Sequence, residues 1–129
     1  MGDGAAFIGL PDNVLWQRAL KYYAQHDFFM VHEACEVLWK RSDGQDAEFY
    51  QAFLQAAVSL YHYGNANFSG ARQLARSAIS RLADLPADYH GVNVKAYLNE
   101  YEALMNPVLL NASDLKPLDC RQAPPIQHM

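Results

Sequence analysis

The residues best suited to chemistry stand close together in the second fifth of the chain: His32, Glu33, Glu36 and Trp39. On a helix, at about 100° per residue, Glu36 lies one turn beyond His32, with Trp39, Phe28 and Phe29 around it. Glu33 falls on the margin of that face. A carboxylate carried into an apolar stripe is costly unless paired or hydrogen-bonded. Lys40, four residues after Glu36, offers a surface ion pair. Left free, Glu33 or Glu36 could instead act as general base with His32 as its partner. The order His-Glu-x-x-Glu is not the zinc-protease His-Glu-x-x-His, which needs two imidazoles at i and i+4. One His and one Glu fall short of the three protein ligands a metal site needs, so neither a metal nor a cofactor is expected.

A second polar set follows on the next segment: Gln51, Gln55, Ser59 and His62 share one narrow helical stripe. Between Phe49 and Tyr63 there is no Asp, Glu, Lys or Arg. A solvated face normally carries such charges. Amides, a hydroxyl and an imidazole suit a buried hydrogen-bond network or a polar cleft better. If the two segments pair as a hairpin, Glu33 or Glu36 is placed to accept from Gln51, Gln55 or His62. The cluster then closes on itself or opens to a ligand; both outcomes fit the spacing.

The elements that must hold these residues are helices. Apolar periodicity and turn signals predict five of them: about 12–25 with Asp12 as cap, 28–41 capped by Asp27, and 46–63 ended by Gly64-Asn65. The fourth runs over about 68–85, capped by Asn67 and stopped by Pro86, and the fifth over about 92–105, ending before Pro107. Asp88-Tyr89-His90-Gly91 reads as a loop, and no strand is predicted. Residues 2–9 read as a loose lead-in. The expected fold is all-α, a compact bundle of about five helices in antiparallel hairpins over 1–106. Residues 107–129 read as a Pro-containing tail, partly extended and poorly packed, with Val108, Leu109, Leu110 and Leu118 as anchors for part of it. A weak echo links Tyr23-Ala-Gln-His-Asp-Phe28 to Tyr63-Gly-Asn-Ala-Asn-Phe68, forty residues on. Tetratricopeptide-like stacking would produce it, as would a simple bundle.

The bulk composition narrows the function classes. The chain has 129 residues, half of them hydrophobic, which suffices for one core. Net charge is −4 with scattered Lys and Arg, so neither nucleic acid nor an anionic membrane surface is an expected partner. No stretch is long and apolar enough to span a bilayer, and Met1-Gly2-Asp3-Gly4 lacks the features of a signal peptide. Cys35 and Cys120 match no redox or metal spacing and read as free thiols. A cytoplasmic, soluble protein is expected.

The segment Phe29-Met-Val-His32-Glu33-Ala-Cys-Glu36-Val-Leu-Trp39-Lys40 resembles the aromatic-x-x-His-Glu-x-x-Glu-x-x-Trp signature of the domain of unknown function 309 family. Phe49-Tyr-Gln51-Ala52-Phe-Leu-Gln55, then His62, resembles that family's second helix, and Asn65, Gly70 and Ala71 its continuation. The resemblance covers about 12–85. Ala52 departs from it, standing where the family has Gly. The resemblance implies a small helical bundle and the same site residues, and it implies no activity. Three functions fit. One is a non-enzymatic binding or scaffold module, for a protein, a peptide, a small polar ligand or a second copy of the chain. The second is a hydrolase-like enzyme, possibly metal-assisted, using Glu36 or Glu33 with His32 or His62. The third is a purely structural polar network.

Overall fold

The computed structural model describes Phe7 and residues 9–128; the rest of the 2–9 lead-in lies outside them. Five helices follow in order: α1 (Asp12–Ala24), α2 (Phe28–Arg41), α3 (Gly44–Gly64), α4 (Phe68–Ala83) and α5 (Val94–Leu109). The fold is all-α apart from a short hairpin of β1 (Asp88–Tyr89) and β2 (Val92–Asn93). Each of α1 to α4 packs chiefly on its neighbour in sequence. α5 lies against α4 and sends Tyr97 back to α1 and Tyr101 back to α3.

The echo between residues 23–28 and 63–68 is one turn used twice. His26 and Ala66 both take the left-handed conformation, at φ 62° and 61°. Asp27 N–H returns to the Tyr22 carbonyl at 2.9 Å, and Asn67 N–H to the His62 carbonyl at 2.8 Å. These bonds satisfy carbonyls left over at the end of one helix. The same residues then cap the next: Asp27 Oδ1 accepts from Met30 N–H, and Asn67 Oδ1 from Gly70 N–H.

Several boundaries differ from the sequence expectation. Pro11, not Asp12, precedes α1; Asp12 sits in the first turn and pairs with Arg41 at 3.1 Å. α3 begins earlier, at Gly44, and α4 ends at Ala83. α5 continues two residues past Pro107, to Leu109; Pro107 has no N–H to give the Ala103 carbonyl one turn back, and at the helix end Arg72 Nε donates to the Val108 carbonyl at 2.9 Å. The 88–91 loop is the β-hairpin, with both turn residues, His90 and Gly91, at positive φ as a type I′ turn requires. The tail is tied to the helices at several points, although most of its residues are exposed. Leu118 N–H bonds the Tyr63 carbonyl at 3.1 Å, Tyr23 Oη–H bonds the Pro124 carbonyl at 2.6 Å, and Asn93 N–H bonds the Gln127 carbonyl at 2.8 Å.

The core is centred on α3, nine of whose residues are buried. Trp16 of α1 lies edge-on to Phe49 and Phe53 of α3, and Phe53 meets Tyr97 of α5. Five of the eight tyrosines are buried, so most serve the interior rather than a contact surface. Three of their hydroxyls are bonded in two short chains, Tyr97 with Tyr23 and the Pro124 carbonyl, and Tyr101 with Ser59. Ser59 Oγ lies 2.6 Å from the Ala56 carbonyl, which can only accept, so Ser59 spends its one proton there. Tyr101 therefore donates to Ser59 Oγ, 2.5 Å away. Replacing Ser59 by Ala should strand the Tyr101 hydroxyl and cost about 1–3 kcal/mol. The double variant Ser59→Ala, Tyr101→Phe should be no less stable than Ser59→Ala alone. Urea midpoints test this, and strictly additive losses would refute the pairing.

Candidate functional site

α2 and α3 run antiparallel because the turn between them is short, which sets the first turns of α2 beside the last turns of α3. His32 and His62 meet in this way. They line one groove together with Phe28 and Phe29 of α2 and Val58 and Tyr61 of α3. Phe29 and Tyr61 are among the few large hydrophobic side chains left exposed, at 46% and 44%. They belong to different helices yet open on the same groove. Its volume is about 180 Å³.

On the α2 side, His32 stands between two carboxylates. Its Nδ1 is 3.8 Å from Glu33 Oε2 and its Nε2 is 3.9 Å from Glu36 Oε2. Both separations exceed a direct hydrogen bond. Glu36 is shared with Lys40 Nζ at 3.9 Å, the surface partner its spacing suggested. Glu33 is 6% exposed although the wheel sets it on the margin. Trp39 is half-buried and packs on the core. On the α3 side, His62 Nδ1 is 3.2 Å from Asn67 Nδ2.

The α3 stripe does not act as one unit. Gln55 Oε1 accepts from Arg81 Nε of α4 at 3.1 Å, and Arg81 also pairs with Glu48 at 2.6 Å. Ser59 is enclosed by Tyr101. Gln51 is half-buried and makes no side-chain hydrogen bond among the described residues. The expected bonds from Gln51, Gln55 or His62 to Glu33 or Glu36 are not formed. The polar set thus divides: Gln55 and Ser59 close on α4 and α5, while His32 and His62 open on the groove. Among the described residues, no three His, Cys, Asp or Glu are gathered so as to hold a metal ion. Cys35 is fully buried, and burial pushes its thiol up to about 12, far from thiolate at neutral pH.

A second imidazole–carboxylate cluster lay outside the sequence expectation. Asp46 Oδ1 accepts from Tyr89 Oη–H and lies 3.0 Å from His90 Nε2, while His90 stacks on Tyr50 with ring centroids 5.8 Å apart. It joins the β-hairpin to the start of α3. Its parts are more than forty residues apart, so no local spacing announces it.

Two comparisons with known proteins bear on the groove. Residues 16–74 match the family described as Domain of unknown function (DUF309), which takes in every groove residue and Asn67. The Uncharacterized protein YpuF of Bacillus subtilis (strain 168) is 33% identical over 61 residues, 46% of this chain and 35% of that protein. The chain therefore spans about a third of the length of that relative. No solved structure matches. No described helix is long and apolar enough to cross a membrane.

The second cluster yields a pH test. The Tyr89 hydrogen bond, with help from His90, holds the Asp46 carboxyl below its ordinary value. A carboxyl depressed in the folded state adds stability above its unfolded pKa, about 3.9, and that stability is lost as pH falls through the lower folded value. Tyr89→Phe should thus lower the urea midpoint at pH 7, and the gap from wild type should narrow as pH falls below about 3.9. An equal gap on both sides of that pH would contradict this.

Proposed function

We propose that this chain, which carries the DUF309 match over 16–74, is a non-enzymatic binding module whose α2–α3 groove receives one apolar side chain of a protein partner. The observation that carries the reading is the convergence of exposed Phe29 and Tyr61 with His32 and His62 on a single groove. Its size decides the kind of guest. About 180 Å³ is below the roughly 300–1,000 Å³ of small-molecule sites, yet a cavity of about 150 Å³ holds a benzene ring. One aromatic or branched aliphatic side chain fits. Anchors of this kind supply most of the affinity at protein interfaces. Hollows of about 340 and 280 Å³ border the tail, but their linings include neither His32 nor His62.

A hydrolase-like role for Glu36 or Glu33 with His32 or His62 draws support from the two imidazoles sharing one groove. The protein is read as soluble and cytoplasmic from its composition.

Selection from a phage-displayed peptide library tests the binding role. The wild-type chain should enrich peptides sharing one apolar anchor. Phe29→Ser, Tyr61→Ser, both at exposed positions, should keep the fold and lose about tenfold or more in affinity, the effect of removing a contact worth about 1.4 kcal/mol. No shared anchor, or the same peptides on the variant, would defeat the proposal.

A further inference from the structure

We infer that the trough between the end of α1 and the outer edge of β2 is a docking site for an extended, proline-bearing peptide of a protein partner, held closed in the free chain by the protein's own residues 123–128. It is a second surface and does not depend on the reading of the α2–α3 groove.

The recognition chemistry begins with two buried hydroxyls. Tyr97 is fully enclosed, and its hydroxyl lies 3.0 Å from that of buried Tyr23. Tyr23 Oη lies 2.6 Å from the Pro124 carbonyl, which can only accept, so the Tyr23 proton goes outward and Tyr97 donates to Tyr23. A buried donor is thus aimed out of the core at a main-chain carbonyl. Three residues on, Asn93 N–H of β2 donates to the Gln127 carbonyl at 2.8 Å, and Val92 pairs with His128 in an antiparallel bridge. The tail so adds to the free edge of the hairpin, as a bound peptide adds a strand to a sheet. Its conformation suits both contacts. Ala123 has φ −59° and ψ 134°, close to polyproline II, and Pro124 and Pro125 follow it. Both docking bonds address carbonyls, the polar main-chain group that a proline keeps. They ask for an extended backbone and not for this one sequence.

The tail fills its site incompletely. Pro124 is buried, yet Ala123 and Ile126 border a hollow of about 340 Å³ walled by Leu20, Tyr23 and His26. A cavity of about 150 Å³ already holds a benzene ring. The methyl of Ala123 leaves that room unused, and a larger side chain there would cover more apolar wall. Tethering offsets the poor fit, since a short linker holds the tail at an effective concentration of about millimolar. A partner segment with a larger residue before its prolines gains what the tail forgoes.

Peptide binding to the full chain, read by fluorescence anisotropy, tests the inference. The probe is a labelled peptide of residues 118–128. Leu118→Ser, Ile126→Ser in the full chain removes the tail's anchors and leaves the trough walls intact. The peptide should bind this variant about tenfold or more tightly than wild type, whose tethered tail competes. The same peptide with Ala123→Leu should bind the variant more tightly again. Adding Tyr23→Phe to the variant should weaken both peptides about tenfold, the loss of a contact worth about 1.4 kcal/mol. In wild type, the Asn93 amide should exchange with solvent about tenfold or more faster than the Phe53 amide of α3, because the strap opens without unfolding the bundle. Equal exchange of the two amides, or loss of helical circular dichroism in the variant, would make the tail part of the core and overturn the inference. Equal binding to wild type and variant, or no binding to a folded variant, would overturn it as well. A peptide with Ala123→Leu that binds no better than the native one, or a wild-type dimer formed by exchange of tails, would overturn the assignment of an outside partner.

Discussion

The structure depends on the need to cover α3. This helix runs from Gly44 to Gly64 and carries no Asp, Glu, Lys or Arg from Phe49 to Tyr63. Water cannot be its main neighbour, so α2 and α4 take its flanks. Buried Ala52, Ala56 and Ala57 keep its surface low where other elements press close. Its fully buried Ser59 hydroxyl draws in Tyr101, and with it α5. Burying a polar group is tolerable only when it is bonded, and Ser59 shows how that requirement orders a distant helix. The groove lies where the cover is incomplete, beside the last turns of α3.

The repeated turn is the second organising device. It ends one helix with a left-handed residue and starts the next with a capping Asp or Asn three residues before the N–H it accepts from. Used after α1 and again after α3, it sets the reversals that place α2 and α4 on either side. The second copy does more than reverse the chain. Its cap also meets the imidazole of the helix it closes, with Asn67 Nδ2 3.2 Å from His62 Nδ1.

Much of the helical layout was legible because it is local. Asp27 and Asn67 could be named as caps because capping reaches only three residues ahead. Of the uncharged stripe of α3, Ser59 is buried while Gln51, Gln55 and His62 are half-buried. The polar signature of His32, Glu33, Glu36, Gln51, Gln55 and His62 lies wholly within the matched segment. What escaped was non-local. A helical wheel gives the face on which Gln55 lies but not the neighbour it meets, and that neighbour is Arg81 rather than Glu33 or Glu36. Pro107 reads as a stop, yet the helix runs two residues past it, to Leu109. The tail reads as loose because its anchors, the Tyr63 carbonyl and the Tyr23 hydroxyl, lie far back in the chain. The groove itself was half visible: His32 and His62 were named, while Val58 and Tyr61 looked like ordinary apolar positions.

The polar set divides, with His32 turned to the groove beside the end of α3 rather than to its glutamines. Proton–proton contacts in a NOESY spectrum test it most directly. The account predicts contacts from the His32 ring to the Val58 methyls and the Tyr61 ring. Contacts from His32 to the side-chain amides of Gln51 and Gln55, with none to Val58 or Tyr61, would contradict it.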